Sequence, residues 1–393
     1  MRRLLPALSA FLLLTAAAAC GDDSGDGSGP IRVGQIVSLT GNYSPLGSEN
    51  KKSVELAVAK VNRDGGVLGR QLEVVVKDDK SQPDQSVLAF NDLRGDDVAA
   101  VIGSPFSNSA LATIPLVDRE KIPYLSLTPA DEQVDPLHPY VFVVPATSGT
   151  YAERILQYLE ATGVSTVAVA HDTRSSYAVA GYEGMRDNAT RHGIEIVADE
   201  EFQTDATEFG SVFGHVRGAN AQALVVWATG APAVALTKQY ASAGLDIPLV
   251  LTGAQASKLF LDPVGAAAEG TIVASSIGVV GQDLPAGKQK AAIDELTTAF
   301  TDAHGYPPPQ FAQDGWSAVH LLVAAIEKAG STEPEAIRDA LEGLKLVTPN
   351  GEYSYGKDDH AGLGPEFISV NTVTQGAFRP TEWAGEQLAR LAG

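Results

Sequence analysis

The 393-residue chain has a single cysteine, Cys20. One thiol can neither close an intrachain disulfide nor complete a cysteine-based zinc site. Basic residues are scarce as well. Lys and Arg number 28 against 48 Asp and Glu, for a formal net charge of −20. That balance excludes the basic surface that nucleic-acid binding needs. Beyond the first twenty residues no stretch is long and apolar enough to span a bilayer, which takes ~20 residues. Catalytic signatures are absent too. There is no GxGxxG after the first apolar run, no GxxxxGK[ST], no GxSxG and no HExxH. The seven histidines are scattered without a recognisable pair, and His171-Asp172 reads as the end of a strand. These gaps point away from an enzyme, a cofactor or a metal. What is present is a hydrophobic share of 44%, too high for a disordered chain. At ~100–200 residues per domain, two or three domains are expected.

The first thirty residues read as an address. Arg2 and Arg3 precede an apolar stretch, Leu4 to Ala19, that ends in small residues. This is the pattern of an export signal over 1–19. Ala17-Ala18-Ala19-Cys20 resembles a bacterial lipobox, which implies cleavage before Cys20 and attachment of lipid to it. Residues 20–30 then form a flexible Gly/Asp/Ser tether. Losing Arg2 and Arg3 lowers the formal charge from −20 to −22. The body is expected outside the cytoplasm, anchored to the membrane by lipid.

From Ile31 onward, apolar β-branched runs alternate with helical patterns. Strands are expected at 31–39, 72–76, 98–102, 124–127, 166–171, 194–197, 224–227, 248–251 and 270–275. Helices fall between them, and two clear ones follow at 288–304 and 315–328. A further helix is expected from Ser331-Thr332, with Glu335 at capping-box spacing from Thr332. Such alternation gives parallel sheets covered by helices. So many strands suit two sheets better than one, hence two lobes.

The order of short motifs in the body resembles the leucine/isoleucine/valine-binding protein family of ABC importers. The series begins with Ser38-Leu-Thr-Gly41, Leu46-Gly47, Leu56-Ala57 and Val61-Asn62. Gly65-Gly66, Leu68-Gly69-Arg70 and Asp78-Asp79 follow. Val101-Ile102-Gly103 with Ser107, Pro123-Tyr124-Leu125-Ser126, Pro139-Tyr140-Val141-Phe142 and Ala268-Glu269-Gly270 complete it. The resemblance covers nearly all of 31–378. It implies the type I periplasmic binding protein fold, α/β, with two doubly wound parallel-sheet lobes joined by a three-strand hinge. The expected lobes are 31–147 plus 278–363, and 148–277 plus 364–393. It also implies a monomer that closes on a small amino acid, carboxylate or amide and delivers it to a membrane permease. A ligand-sensing domain working with a separate receptor or kinase is the alternative.

The loop Gly103–Ser109 follows an expected strand and opens a helix, whose N-terminus favours a carboxylate. By resemblance, Ser107 matches the serine that binds the ligand carboxylate, with Asn108 beside it. Ser126 and Thr128 lie in the second carboxylate loop. Tyr177 matches the tyrosine that closes over the ligand from the second lobe. Tyr43 and Leu46 match the loop lining the apolar part of the pocket, and Thr229 ends a second-lobe strand near it. Amino-acid binders of this family place a carboxylate near Thr252-Gly-Ala-Gln255-Ala256 to pair with the ligand ammonium. This chain has no Asp or Glu between Asp246 and Asp262. Gln255, a main-chain carbonyl or another acid takes that role, or the ligand has no ammonium.

Overall fold

The structure, a computed structural model, describes residues 29–392. The expected signal segment and Cys20 lie outside these residues. Five strands, β1 (Ile31–Val37), β2 (Leu72–Asp78), β3 (Ala100–Gly103), β4 (Tyr124–Ser126) and β5 (Val141–Val143), form an all-parallel sheet in the order β2-β1-β3-β4-β5. The next five are β6 (Thr166–Asp172), β7 (Glu195–Phe202), β8 (Ala223–Trp227), β9 (Leu249–Leu251) and β10 (Ile272–Ser276). A hairpin, β11 (Lys345–Thr348) and β12 (Gly351–Ser354), precedes β13 (Ile368–Thr374) and β14 (Ala377–Pro380). The second sheet runs β14-β13-β10-β9-β8-β6-β7.

Two α/β lobes result. Central strands such as β3 and β8 are buried along their whole length, as expected where helices cover both faces of a sheet. The second sheet is not wholly parallel: β13 runs antiparallel to β10, and β14 to β13. The reason is local. A two-residue turn, Gln375-Gly376, joins β13 to β14 with both φ angles positive, +54° and +69°. Such a turn closes a hairpin and leaves no room for the helical crossover that a parallel pair needs.

The chain passes between the sheets three times, through residues 144–147, 277–287 and 355–367. The hairpin β11-β12 stays with the first sheet, because the phenols of Tyr353 and Tyr355 donate to the carbonyls of Val144 and Val143. Helix Lys288–His304 has the expected bounds. Helix Gln310–Ala329 begins five residues before the expected start at Gly315. The run Pro307-Pro308-Pro309 cannot sit inside a helix, but a helix can start directly after it. This helix packs on Ser44–Arg63. Gly315 permits the approach, since a Cβ there would lie 2.3 Å from Ser53 Oγ and 2.7 Å from the Asn50 carbonyl.

Two other expectations change. The capping box at Ser331-Thr332 does not form. The helix is Pro334–Leu341, entered through Glu333, with Pro334 in its first turn and Glu335 at the second helical position. The Ser331 hydroxyl accepts instead from the Glu333 N–H at 3.1 Å. Strand β7 runs to Phe202, beyond the expected end at Val197. Asp199-Glu200-Glu201 obscured its second half, yet charges are normal on an edge strand, where they discourage pairing with other chains.

Candidate ligand cleft

The carboxyl ends of β1, β3 and β4 carry the first wall of a cleft between the lobes. Asp79, fully buried just past β2, ties the ends of β1 and β3 to the loop after β2. It accepts from Ser38 Oγ at 2.6 Å, the Ser81 N–H at 2.9 Å and Ser104 Oγ at 2.5 Å. Its neighbour Asp78 accepts from the N–H groups of Leu39 and Lys80, both at 2.8 Å. Burial pushes the Asp78 carboxyl up, but these N–H donors outweigh it and hold it below the ordinary value. The loops of this wall are therefore pinned from behind by two adjacent carboxylates.

Helix Ser107–Glu120 opens into this wall. Its N-cap is Phe106, with no side-chain cap. The first N–H groups of a helix have no intrahelical partner and carry partial positive charge. The Ser107 hydroxyl is therefore not spent on capping. It is hydrogen-bonded to the Thr128 hydroxyl, and both residues are buried. Next to this polar corner, Tyr43 stacks on Phe106, with ring centres 4.1 Å apart, and Leu46 and Phe311 complete an apolar cluster.

The second wall is aromatic. Tyr177 starts helix Ser176–Asn188 and lies edge-on to the buried Trp227, 5.7 Å between ring centres. Its phenol is hydrogen-bonded to Thr252 Oγ1. Tyr151, from helix Ser148–Ala161, accepts from Gln310 Nε2 at 2.8 Å across the lobes. Burial raises the pKa of Tyr43, Tyr151 and Tyr177, so all three phenols are neutral near pH 7. Thr229 lines the cleft from the end of β8.

Of the expected site residues, Tyr43, Leu46, Ser107, Thr128, Tyr177 and Thr229 meet along this cleft. Three others do not line it. Asn108 turns to the opposite lobe, donating to the Arg174 carbonyl at 3.1 Å and accepting from the Ser176 N–H at 3.2 Å. Ser126 is buried and donates to Gln133. Gln255 forms a capping box with Thr252 and donates to the Ala228 carbonyl at 2.8 Å. His171 is buried in the second lobe, stacked on Tyr182 at 4.2 Å.

The lining also includes Phe106, Tyr151, Gln310, Phe311 and Asp314, which the sequence reading did not select. Gln310, Phe311 and Asp314 were lost through the late helix start, and the proline run before Gln310 was the signal that could have recovered them. Among the described residues no group of three or more His, Cys, Asp or Glu is arranged to hold a metal ion. No described helix is long and apolar enough to cross a membrane.

Residues 30–370 match the periplasmic binding protein family. The chain belongs to this family. It is 27% identical to a Leu/Ile/Val-binding protein homolog of Brucella melitensis, over 83% of this chain and 87% of the relative. The fold is shared with two solved solute-binding proteins. One is a branched-chain amino acid transporter substrate-binding protein from Streptococcus pneumoniae, in complex with isoleucine. Its TM-score is 0.77 at 23% identity, over 89% of this chain and 98% of that one. The other is an ABC transporter solute-binding protein from R. palustris, in complex with benzoate. Its TM-score is 0.78 at 20% identity, over 90% of this chain and 95% of that one. The family is one of periplasmic or extracytoplasmic binding proteins.

Proposed function

We propose that this chain is the solute-binding component of an ABC importer, held to the cell membrane through lipid on Cys20. In this reading it captures a small amino acid of branched-chain type, or a related small carboxylate or amide, and passes it as a monomer to a membrane permease. The observation that carries the reading is the polar corner of the cleft. Ser107, Thr128 and the open N-terminus of helix Ser107–Glu120 gather donors at one point, facing Tyr177 on the other lobe. A carboxylate fits donors so placed, and the Tyr43, Leu46, Phe106 and Phe311 cluster suits an apolar side chain beside it.

No bond is made or broken. The proposed moving bodies are 31–147 plus 278–363 and 148–277 plus 364–393. A solute that touches both walls stabilises the closed arrangement by whatever contacts it makes only there. The relative named for Leu, Ile and Val supports an apolar amino acid as the first class to try. The test is a thermal-shift screen of amino acids, amides and small carboxylates, since a ligand that binds only the folded state raises its melting temperature with concentration. Stabilisation by at least one apolar amino acid or small carboxylate is expected. A flat response across all three classes removes the reading.

A further inference from the structure

Asp314 stands one turn inside helix Gln310–Ala329 and lines the cleft with Tyr151, Gln310 and Phe311. It is only 2% exposed. Its Oδ1 accepts from Asn350 Nδ2 at 2.7 Å. No hydrogen bond reaches Oδ2 among the described residues, and no Lys, Arg or His pairs with the carboxyl. A buried carboxylate with neither cation nor full hydrogen bonding is costly unless something completes it. Structural carboxyls in this lobe look different: Asp79 accepts three hydrogen bonds and does not line the cleft.

We infer that Asp314 is the cation receptor of the cleft, and that the chain selects zwitterions whose ammonium pairs with Asp314 while their carboxylate meets Ser107 and Thr128. The inference rests on the solute-binding reading above and narrows its ligand class to amino acids. It assigns the ammonium role to the first lobe, near the hinge, in place of the acid-free loop at Thr252–Ala256.

The protonation behaviour of the site is consistent with this assignment. Burial pushes the Asp314 carboxyl up to about 7, against a lowering by the Asn350 hydrogen bond. The titratable groups facing it are the phenols of Tyr151 and Tyr353, both kept neutral by burial. An arriving ammonium favours the ionised carboxyl and pulls its pKa down. Binding near neutral pH therefore releases a proton, and affinity rises as pH increases through about 7.

The experiment is titration calorimetry of the purified protein with L-leucine and with 4-methylpentanoate, which has the same carbon skeleton and carboxylate but no amine. Both are run at pH 6 and pH 8 on the wild type and on Asp314→Asn. Wild-type affinity for leucine is expected to rise about tenfold from pH 6 to pH 8, following the ionised fraction of a group titrating at about 7. Proton release should appear as a dependence of the heat on buffer ionisation. Asp314→Asn should lose at least tenfold for leucine and become flat with pH, while 4-methylpentanoate is unaffected or binds more tightly. The wild-type pH profile stands even where the variant folds poorly. Leucine binding that is flat with pH and unchanged in Asp314→Asn overturns the inference. So does tight binding of 4-methylpentanoate to the wild type with none of leucine, although the solute-binding reading then survives. Failure of both probes on a folded wild type, together with a flat ligand screen, overturns both.

Discussion

The two walls of the cleft are built by different physics. The first-lobe wall sets a polar corner beside the apolar cluster of Tyr43, Leu46, Phe106 and Phe311. It is held from behind by hydrogen bonds to buried carboxylates, with Asp79 gathering Ser38, Ser81 and Ser104. The second-lobe wall is aromatic and is held by shape, with Tyr177 against Trp227 and helix Ser176–Asn188 lying close upon that indole. A hydrogen-bonded wall fixes directions, which suits recognition of a charged group. A packed wall fixes a surface, which suits covering a ligand and excluding water. On the solute-binding reading, the polar corner of the first lobe chooses the ligand's charged group and the second lobe covers it.

The strongest way to break this contrast is to remove the anchor of the polar wall. Asp79→Ala leaves three buried donors without their acceptor, and should cost about 3–5 kcal/mol of stability. A chemical-denaturation midpoint that hardly moves would show that the wall stands without its carboxylate. The matching lesion in the second lobe is Gly181→Ala. A Cβ there would come within 2.1 Å of the Trp227 ring. Overpacking of this kind costs about 1–3 kcal/mol. It should also weaken ligand binding, because Tyr177 rests on the displaced indole. Equal affinity in a destabilised Gly181→Ala protein would mean that Tyr177 keeps its place without Trp227.

Within the polar wall, Ser107→Ala removes one hydroxyl and leaves that of Thr128 without its partner. Affinity for a carboxylate ligand should fall by about 1–3 kcal/mol, with little change in melting temperature. Calorimetry with a carboxylic acid and its amide separates the roles. The acid should lose more, and equal loss for both would remove the carboxylate assignment.

The contrast between walls also explains what the sequence disclosed. Strand and helix alternation exposed both sheets, because buried parallel strands such as β3 and β8 are short, continuous apolar runs. Ser107 and Tyr177 are expected at the site from the resemblance to the family, and both line the cleft because each follows a strand and opens a helix, where side chains face the crevice between lobes. Asp314 was not legible. It lies in helix Gln310–Ala329, ahead of the expected start at Gly315, and only tertiary packing brings that helix to Tyr151. Asn108 and Gln255 were misleading for the converse reason. Their sequence neighbours reach the cleft, but an amide side chain can satisfy itself on nearby backbone, and theirs do so on Arg174, Ser176 and Ala228. The antiparallel strands β13 and β14 were hidden because Gln375-Gly376 is a weaker turn signal than Asn-Gly or Asp-Gly.

Asn108 supplies the smallest effect and the finest test of the comparison. It belongs to the first lobe, yet its amide grips the second through two hydrogen bonds at the rim, at 3.1 and 3.2 Å. Those bonds join the two sides of the cleft and would break if the lobes moved apart. Asn108→Ala should therefore reduce the closed population and lower the affinity for every ligand by one common factor, about 1 kcal/mol for a pair of partly exposed hydrogen bonds. Ser107→Ala, by contrast, should change the ranking of ligands. Calorimetry of one ligand panel on both variants distinguishes a clasp from a contact. If Asn108→Ala reorders the panel, Asn108 reaches the ligand and the division between choosing and closing fails at that residue. If the panel shifts as a block, the rim contributes closure alone and the choice of ligand stays with the polar wall.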